Sequence, residues 1–532
     1  MKPLVCILAA GKGTRMGSQA SGVHKALLPV ENRASISRII SQFPEQTQFV
    51  VAIGHLGEQV KSYLLTAHPN HDISFVNVKP YEGPHSGPGI SVLQCSNFLR
   101  RSFFLVCTDT LWSEVLPSDF EENIIFTHSV SKAISQDYCN VLKDEKNRQV
   151  TGFRNKLSTD RAEAFTGLAY IKDTEVFFQG ILGSTSPSVE LFEGFKALIK
   201  MGVVATRELK TWLDIGTLDK YNRVRGEVFF GKVGEELFFE GDQVVKYFHD
   251  KKIVENRVKR SKGSNHWFPR VSQTNGQFYS YQYEPGHNLY EENSPELVSK
   301  LLKRLEAEFW KPVSVSKERI RNQCRHFYYR KTIGRVKQYL ANNPWARSIS
   351  EINGQRVPSA GELLDRIRWS HVAEGVPYYI HGDLQFGNII YSPEKDRFSL
   401  IDWRQDFAGE LLFGDIYYDF AKLNAGIHLN LLKLEQGDFH VGSRSKLISV
   451  ACPQVEHYQV YRQLLMDSAS RMGLEPSKID LLTGLVYLNM AGIHHEPVAT
   501  MLYSFAIHWL TQSIDVFANQ TLKVPKTLPR AA

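Results

Sequence analysis

The chain has 532 residues, too many for one ordinary core; at ~100–200 residues per domain it divides into roughly two to four. Hydrophobic residues make up 42% and aromatic residues 11%, enough to fill real cores and to exclude a wholly disordered chain. The net charge of +7 is modest for this length, and the basic clusters at 251–262 and 319–331 read as solvated helix faces or as surfaces toward anionic small molecules, not as a nucleic-acid stripe. The six cysteines (Cys6, Cys95, Cys107, Cys139, Cys324 and Cys452) form no CxxC pair, which argues against a disulfide framework or a structural zinc site and fits a reducing compartment.

The first apolar run, Leu4–Ala9, follows one lysine and ends in a glycine loop, so it is expected to be a buried strand and not a leader. No uninterrupted apolar stretch reaches the ~18 residues of a membrane span. A cytoplasmic protein is expected, with small molecules as partners, self-association into a homo-oligomer left open, and neither nucleic acid nor membrane.

Strand-like runs at 4–9, 49–53, 73–78, 103–107 and 123–127 alternate with helix-like segments such as 34–42 and 58–66. That rhythm predicts an α/β fold on a mostly parallel sheet. From residue 227 it changes to short strands at 227–230, 236–240 and 243–248, then a charged helix over 251–262. Helical periods dominate from about 295, broken by a strand-loop-strand at 378–403, and the tail after Leu522 reads as frayed. The expected organisation is a domain over 1–226 and a second over 227–532, the latter with a small β-rich lobe (227–290) and a larger helical lobe (291–532).

The first motif, Leu8-Ala-Ala-Gly-Lys-Gly-Thr-Arg-Met16, follows the first strand. Gly11 and Gly13 have access to positive φ and let backbone amides approach a polyphosphate, with Ala10 in the same loop. Arg15 and, past the loop, Lys25 supply cations for the same phosphates. The spacing fits neither the dinucleotide fingerprint nor a Walker A loop.

These residues resemble the nucleotidyltransferases of the sugar-1-phosphate and phosphocholine type, whose opening loop reads LAAGxGxRM followed by a lysine, with His24 standing where that family usually has proline. The resemblance extends to 83–91, with Gly87 and Gly89 in the place of the base- and ribose-binding loop. It also covers the strand Phe103–Cys107 leading to Asp109 and the segment Trp212-Leu-Asp-Ile-Gly-Thr217 with Asp214. It implies a Rossmann-like domain in which Asp109 and Asp214 hold Mg²⁺, and Lys25 and Arg15 stabilise charge at the α-phosphate and on pyrophosphate. Gly167, in 164–170, and Glu190 are implied to approach the acceptor.

The second constellation is Tyr379-Ile-His-Gly-Asp-Leu-Gln-Phe-Gly-Asn388 and Phe398-Ser-Leu-Ile-Asp-Trp403. An aspartate five residues before an asparagine, with another aspartate fourteen residues later at a strand end, suits ATP-dependent phosphorylation of a hydroxyl. Asp383 would orient the hydroxyl proton, Asn388 and Asp402 would hold Mg²⁺, and His381 would brace the loop. This pattern resembles the aminoglycoside phosphotransferase and choline kinase superfamily (HGDxxxxN…IDW), which implies a protein-kinase-like two-lobed α+β domain. Such a domain needs a small-lobe lysine and an acidic partner, for which Lys246 and Glu255 are the candidates. Gly231-Lys-Val-Gly234 lies where a phosphate-covering loop belongs, and 278–284 where the hinge to adenine belongs. Tyr417 and Tyr418 are read as core before they are read as a cation-binding pair, and Arg404 departs from the choline-kinase pattern.

The joint expectation is a bifunctional enzyme. A small alcohol (sugar, polyol or amino alcohol) would be phosphorylated with ATP, and a nucleotidyl group from CTP or UTP would be joined to the new phosphate, giving a precursor for surface polysaccharide. The alternatives are a choline kinase–phosphocholine cytidylyltransferase fusion, a binding or regulatory protein with one degenerate catalytic domain, and an antibiotic-modifying kinase.

Overall fold

The computed structural model describes residues 2–16, 22–144, 149–159, 162–185, 188–202, 204–225, 234–264, 266–444, 446–494 and 496–521. The glycine segment at 231–233, the strand expected at 227–230 and the tail beyond 521 lie outside them. Two compact units emerge. The first comprises 1–227, 234–249 and 273–280, and the second 228–233, 250–272 and 281–532.

In the first unit, β1 (Leu4–Ala9), α1 (Ser35–Ile40), β2 (Gln48–Ile53), α2 (Gly57–Ala67), β3 (Asp72–Asn77), α3 (Pro88–Gln94) and β4 (Phe103–Cys107) follow in chain order. The four strands are parallel and lie in the order β3-β2-β1-β4. β1 is buried at every position because both sheet faces are covered, as a continuous apolar run requires. Alternate residues feed two cores: Val5, Ile7 and Ala9 pack with α1 and α2, while Leu4, Cys6 and Leu8 pack with Val92 of α3. The order of strands reverses between β1 and β4, so their carboxyl ends flank a crevice of the kind in which open α/β sheets bind ligands.

The sheet continues less regularly than the alternation suggested. β6 (Asn123–Val130), β7 (Cys139–Lys143), β8 (Val150–Asn155), β9 (Ala162–Ile171), α4 (Thr174–Leu182), α5 (Phe192–Lys200) and β10 (Val204–Glu208) complete it, while β5 (Thr110–Leu111) and β11 (Leu213–Asp214) pair with each other as a separate two-stranded ladder. β9 runs antiparallel to β4, β6 and β7, so the sheet is mixed.

A four-stranded sheet follows, with β12 (Glu235–Glu240), β13 (Gln243–Phe248), α6 (Lys251–Ser261), β14 (Val271–Asn275) and β15 (Phe278–Gln282) in the strand order β12-β13-β15-β14. Its apolar face belongs to the first unit's core. The Tyr63 ring of α2 meets Phe238 at 5.0 Å and Phe278 at 5.6 Å, edge to face. Arg33 grips Glu240 through two nitrogens, at 2.6 and 3.3 Å, and Gln59 donates to the Tyr247 hydroxyl at 3.0 Å.

The second unit is mostly helical. α7 (Pro295–Arg304) and α8 (Lys331–Asn342) precede a hairpin of β16 (Ile389–Ser392) and β17 (Arg397–Leu400). After it come α9 (Ile416–His428), α10 (Tyr458–Arg471), α11 (Pro476–Ala491) and α12 (Val498–Thr521). α9 is buried along its whole length, and within its sequence IYYDFAKLNAGIH Asp419, Lys422 and Asn424 make polar contacts to neighbouring elements. Among the described residues no helix is long and apolar enough to cross a membrane, and all six cysteines are free thiols.

Candidate functional sites

The first site forms where β1 and β4 end. Gly13 takes a φ of +66° and its carbonyl accepts from the Met16 amide at 2.9 Å, closing the loop into a short turn that carries Arg15. Gly11 keeps an ordinary φ, and a Cβ there would meet open space. Ala10 is buried and anchors the loop by accepting from the His55 amide at 3.0 Å.

Asp109 stands just past β4. Its Oδ2 lies 3.4 Å from Lys25 Nζ and 3.8 Å from Arg15 Nη2. Burial raises the Asp109 pKa, but the two cations outweigh it and hold the carboxyl below its ordinary range. Asp214 reaches the same place because β11 pairs antiparallel with β5, setting Asp214 opposite Thr110, while the Ile215 amide donates to Asp109 O at 3.0 Å. The Gly216 amide caps Asp214 Oδ1 at 2.8 Å. A Cβ on Gly216 would stand 2.9 Å from Asp214 Oδ1 and 3.3 Å from Asp109 Oδ2, so both carboxylates border one small space that only glycine leaves open. No group of three or more metal-binding side chains exists among the described residues. A pair of carboxylates completed by phosphate oxygens is the donor set that Mg²⁺ takes, and the residues present fit it.

Two residues beyond the sequence-derived set support this site. Lys220 Nζ lies 2.7 Å from Asp214 Oδ2 and 4.1 Å above the Tyr138 ring. His24 is buried; its Nδ1 accepts from the Ala26 amide at 3.1 Å and its own amide donates to Gln59 at 2.6 Å, which fixes the turn bearing Lys25. Burial, reinforced by Lys25, lowers the His24 pKa to about 3, so the ring is neutral. Lys220 follows Asp214 at the start of a helix, a spacing that could have exposed it; nothing local marks His24.

Gly87 and Gly89, expected at the base, lie against the backbone of 189–190. A Cβ on Gly87 or Gly89 would stand 2.5 or 2.7 Å from Val189 O, and the Gly89 amide donates to that oxygen at 2.9 Å. Their openness admits the 189–190 backbone, which carries the exposed Glu190. Gly167 has φ +88° and sits against Thr110 and Cys107, next to Asp109 along the chain. Trp212 packs on Tyr138 at 5.2 Å.

In the second unit, the loop 381–388 is held from several sides. Asp419 of α9 accepts from the amides of His381 at 2.8 Å and Gly382 at 2.7 Å, and from Trp310 at 3.1 Å. His381 Nε2 bonds Ile401 O at 2.9 Å and its Nδ1 accepts from the Asp383 amide at 3.1 Å, so His381 braces the loop without facing outward. Burial above all lowers its pKa to about 3. Asn388 Nδ2 donates to Asp383 O at 2.8 Å, and the Ile401 amide donates to Asn388 O at 2.9 Å, drawing Asp383, Asn388 and the strand end before Asp402 together. Asp402 has a φ of 58° and lies 3.6 Å from Arg257 of α6. Arg260, one turn on, donates to Ile380 O and Arg404 O, tying α6 to both halves of the motif.

Asp383 Oδ1 is 2.5 Å from Lys422 Nζ, a contact not foreseen from sequence although Asp419 and Lys422 are spaced to share one face of an apolar helix. Lys331 and Arg404 share the Phe327 ring, at 3.4 and 4.8 Å from its centroid. Burial, then Arg404, Arg335 and Lys422, push the Lys331 ammonium well below the usual lysine range against the pull of Asp383. Tyr417 and Tyr418 lie in the core and meet the protein's own cations, Lys478 at 4.3 Å and Lys331 at 5.5 Å. Glu255 is on the exposed face of α6, 3.7 Å from Lys251, whereas Lys246 is buried in β13 of the first unit.

Residues 5–115 match the family model of the MobA-like NTP transferase domain, and that part of the chain carries an NTP transferase domain. The bifunctional protein GlmU of Methanococcus aeolicus is 22% identical over 253 residues, covering 45% of this chain and 59% of that protein. GlmU of Methanococcus maripaludis is 24% identical over 217 residues, covering 40% and 50%. The chain thus spans about half the length of the curated relatives it matches. Among solved structures, UDP-glucose pyrophosphorylase complexed with UDP-glucose is similar with a TM-score of 0.37 and 15% identity, over 42% of this chain and 97% of that one. CTP:phosphocholine cytidylyltransferase from Streptococcus pneumoniae has a TM-score of 0.36 and 17% identity, over 42% and 98%.

Proposed function

We propose that the first unit joins a nucleotidyl group from CTP or UTP to a phosphate monoester, and that the second unit makes such a monoester from a small polar alcohol and ATP. The observation that carries the first half is the convergence of Asp109 and Asp214 on the space beside Gly216, with Lys25 and Arg15 against Asp109. A phosphate oxygen of the acceptor attacks the α-phosphorus; that P–O bond forms, the α–β bridge breaks, and pyrophosphate leaves. Mg²⁺ held by Asp109 and Asp214 would neutralise the meeting polyanions. Lys25 and Arg15 stabilise charge on the α-phosphate and the leaving group, and the loop 10–16 presents amides to the phosphates.

In the second unit Asp383 accepts or orients the alcohol proton, Asn388 and Asp402 would hold Mg²⁺ with ATP, and Glu255 is the candidate for the nucleotide side; Lys246, the other candidate, belongs to the first unit. The domain boundary near 226, the two-lobed reading and the roles of Gly87, Gly89, Gly167 and Glu190 toward base and acceptor belong to the same proposal. A sugar or polyol phosphate is favoured over phosphocholine, because Tyr417 and Tyr418 are already engaged by Lys478 and Lys331. The conjugate would serve as an activated precursor for a surface polysaccharide.

The test is the full chain with ATP, CTP or UTP and candidate alcohols, with product and pyrophosphate measured. Asp109→Ala should abolish pyrophosphate release. Asp383→Ala should block product from the alcohol but leave product from its phosphate; retention of product from the free alcohol sinks the two-step scheme.

A further inference from the structure

The charges around Asp383 are lopsided. Lys422 reaches its carboxylate at 2.5 Å, and three more cations stand nearby. Arg404 is fixed by its amide donating to His381 O at 3.0 Å and by packing over Gly382, where a Cβ would lie 2.7 Å from Arg404 Cβ. Its Nε is buried without a hydrogen-bond partner among the described residues. Lys331 and Arg404 share one face-bearing platform, Phe327, and Lys331 is also 5.5 Å from Tyr418, one turn before Lys422 on α9. Arg335, one turn along α8, adds its field to Lys331 and spends a donor on Asn489 O at 3.2 Å.

Among the described residues no carboxylate lies within ion-pair distance of Lys331, Arg404 or Arg335. Asp419 is taken by main-chain amides and Trp310, and Asp402 faces a different cation, Arg257. Like charges gathered without counter-ions in a half-buried site are unfavourable, and either loss of a proton or an anionic ligand relieves them. A planar guanidinium beside an ammonium is suited to a carboxylate or phosphate group.

We infer that the alcohol presented to Asp383 carries an anionic group, a carboxylate or a phosphate, held by Lys331 and Arg404. This rests on the reading of the second unit as a kinase and names the class of its acceptor. It runs against choline, ethanolamine or an aminoglycoside, each of which would bring a further positive charge to a site already rich in cations. The transfer itself keeps its balance: the alcohol oxygen takes the γ-phosphoryl group, its proton passes toward Asp383, and ADP leaves.

The experiment measures ADP release by the full chain with Mg²⁺–ATP and glycerol, D-glycerate, glycerol 3-phosphate or choline. The anionic alcohols should exceed glycerol by about 100-fold or more in kcat/KM, with the glycerate and glycerol phosphate arms separating carboxylate from phosphate. Lys331→Met should raise the KM of the preferred anion at least about 10-fold with little change in the KM for ATP, and Lys331→Arg should recover most of it. Preference for glycerol or choline overturns the inference, as does a Lys331→Met effect confined to ATP, which would assign the cluster to the nucleotide. If no alcohol releases ADP, the kinase reading fails by itself. Calorimetry of D-glycerate and glycerol 3-phosphate then decides the site: binding weakened by Lys331→Met and restored by Lys331→Arg upholds it, and equal binding in both proteins overturns it.

Discussion

Lys422 meets Asp383 at 2.5 Å from the middle of a helix buried along its length. The same helix presents Asp419 one turn earlier, bonded to the amides of His381 and Gly382. One helix face thus sets both the main chain and the carboxylate of the loop 381–388. Lys422→Met should lower kcat for ATP-dependent phosphorylation by about 100-fold or more, in the range of a misplaced general base, while the KM for ATP changes little. Steady-state kinetics check this, and recovery by Lys422→Arg separates charge from packing.

Gly216 offers a test of the first site that leaves every charged residue in place. A methyl group there would occupy the space between Asp214 and Asp109. Gly216→Ala should therefore raise the Mg²⁺ concentration needed for half-maximal pyrophosphate release about 10-fold or more, with an unchanged far-ultraviolet circular dichroism spectrum. Lys25→Met should instead reduce turnover at saturating Mg²⁺ by about 100-fold, the scale of a lost transition-state donor.

Two neutral histidines contribute to the acid side of the first unit's stability. Burial above all lowers His24 and His68 to about 3 from the ordinary 6.5. The unfolded chain therefore binds protons that the folded unit refuses, so their contribution is complete above pH 6.5 and is lost as pH falls toward 3. Below 6.5 each should reduce unfolding free energy by up to about 1.4 kcal/mol per pH unit. Urea midpoints of the first transition, measured between pH 7.5 and 4.5, should fall less steeply in His68→Asn if that variant folds.

Tyr63 joins α2 to the four-stranded sheet through Phe238 and Phe278 and bonds Ser37 at 2.7 Å. Tyr63→Ala should destabilise the first unit by about 3 kcal/mol or more, the usual loss for a large buried aromatic. A fragment ending at residue 225 removes Phe238, Val245, Tyr247 and Phe278 from that core. It should melt lower than the first transition of the intact chain and bind more of a hydrophobic dye.

The sequence discloses what short spacing controls. The loop 10–16, Asp109 at a strand end, Asp214 and the Asp383–Asn388–Asp402 set are each legible because loop, strand and chemistry are local. Arg257 and Lys422 are not, since their partners Asp402 and Asp383 lie far along the chain and come close only through packing. The apolar residues of β12, β13 and β15 announce a buried face but not its owner; an edge-on Tyr63 is what assigns it to the first unit. Gly87 and Gly89 announce a close approach, and sequence cannot say that a carbonyl at 189 makes it.

Because the first unit draws on residues 234–249 and 273–280, its apolar interior is supplied out of order. During synthesis the early sheet leaves the ribosome well before Phe278 does, with the α2 face around Tyr63 still uncovered. The N-terminal catalytic centre would then mature only after the start of the following unit has been made, and a chaperone should dwell on that face during the interval.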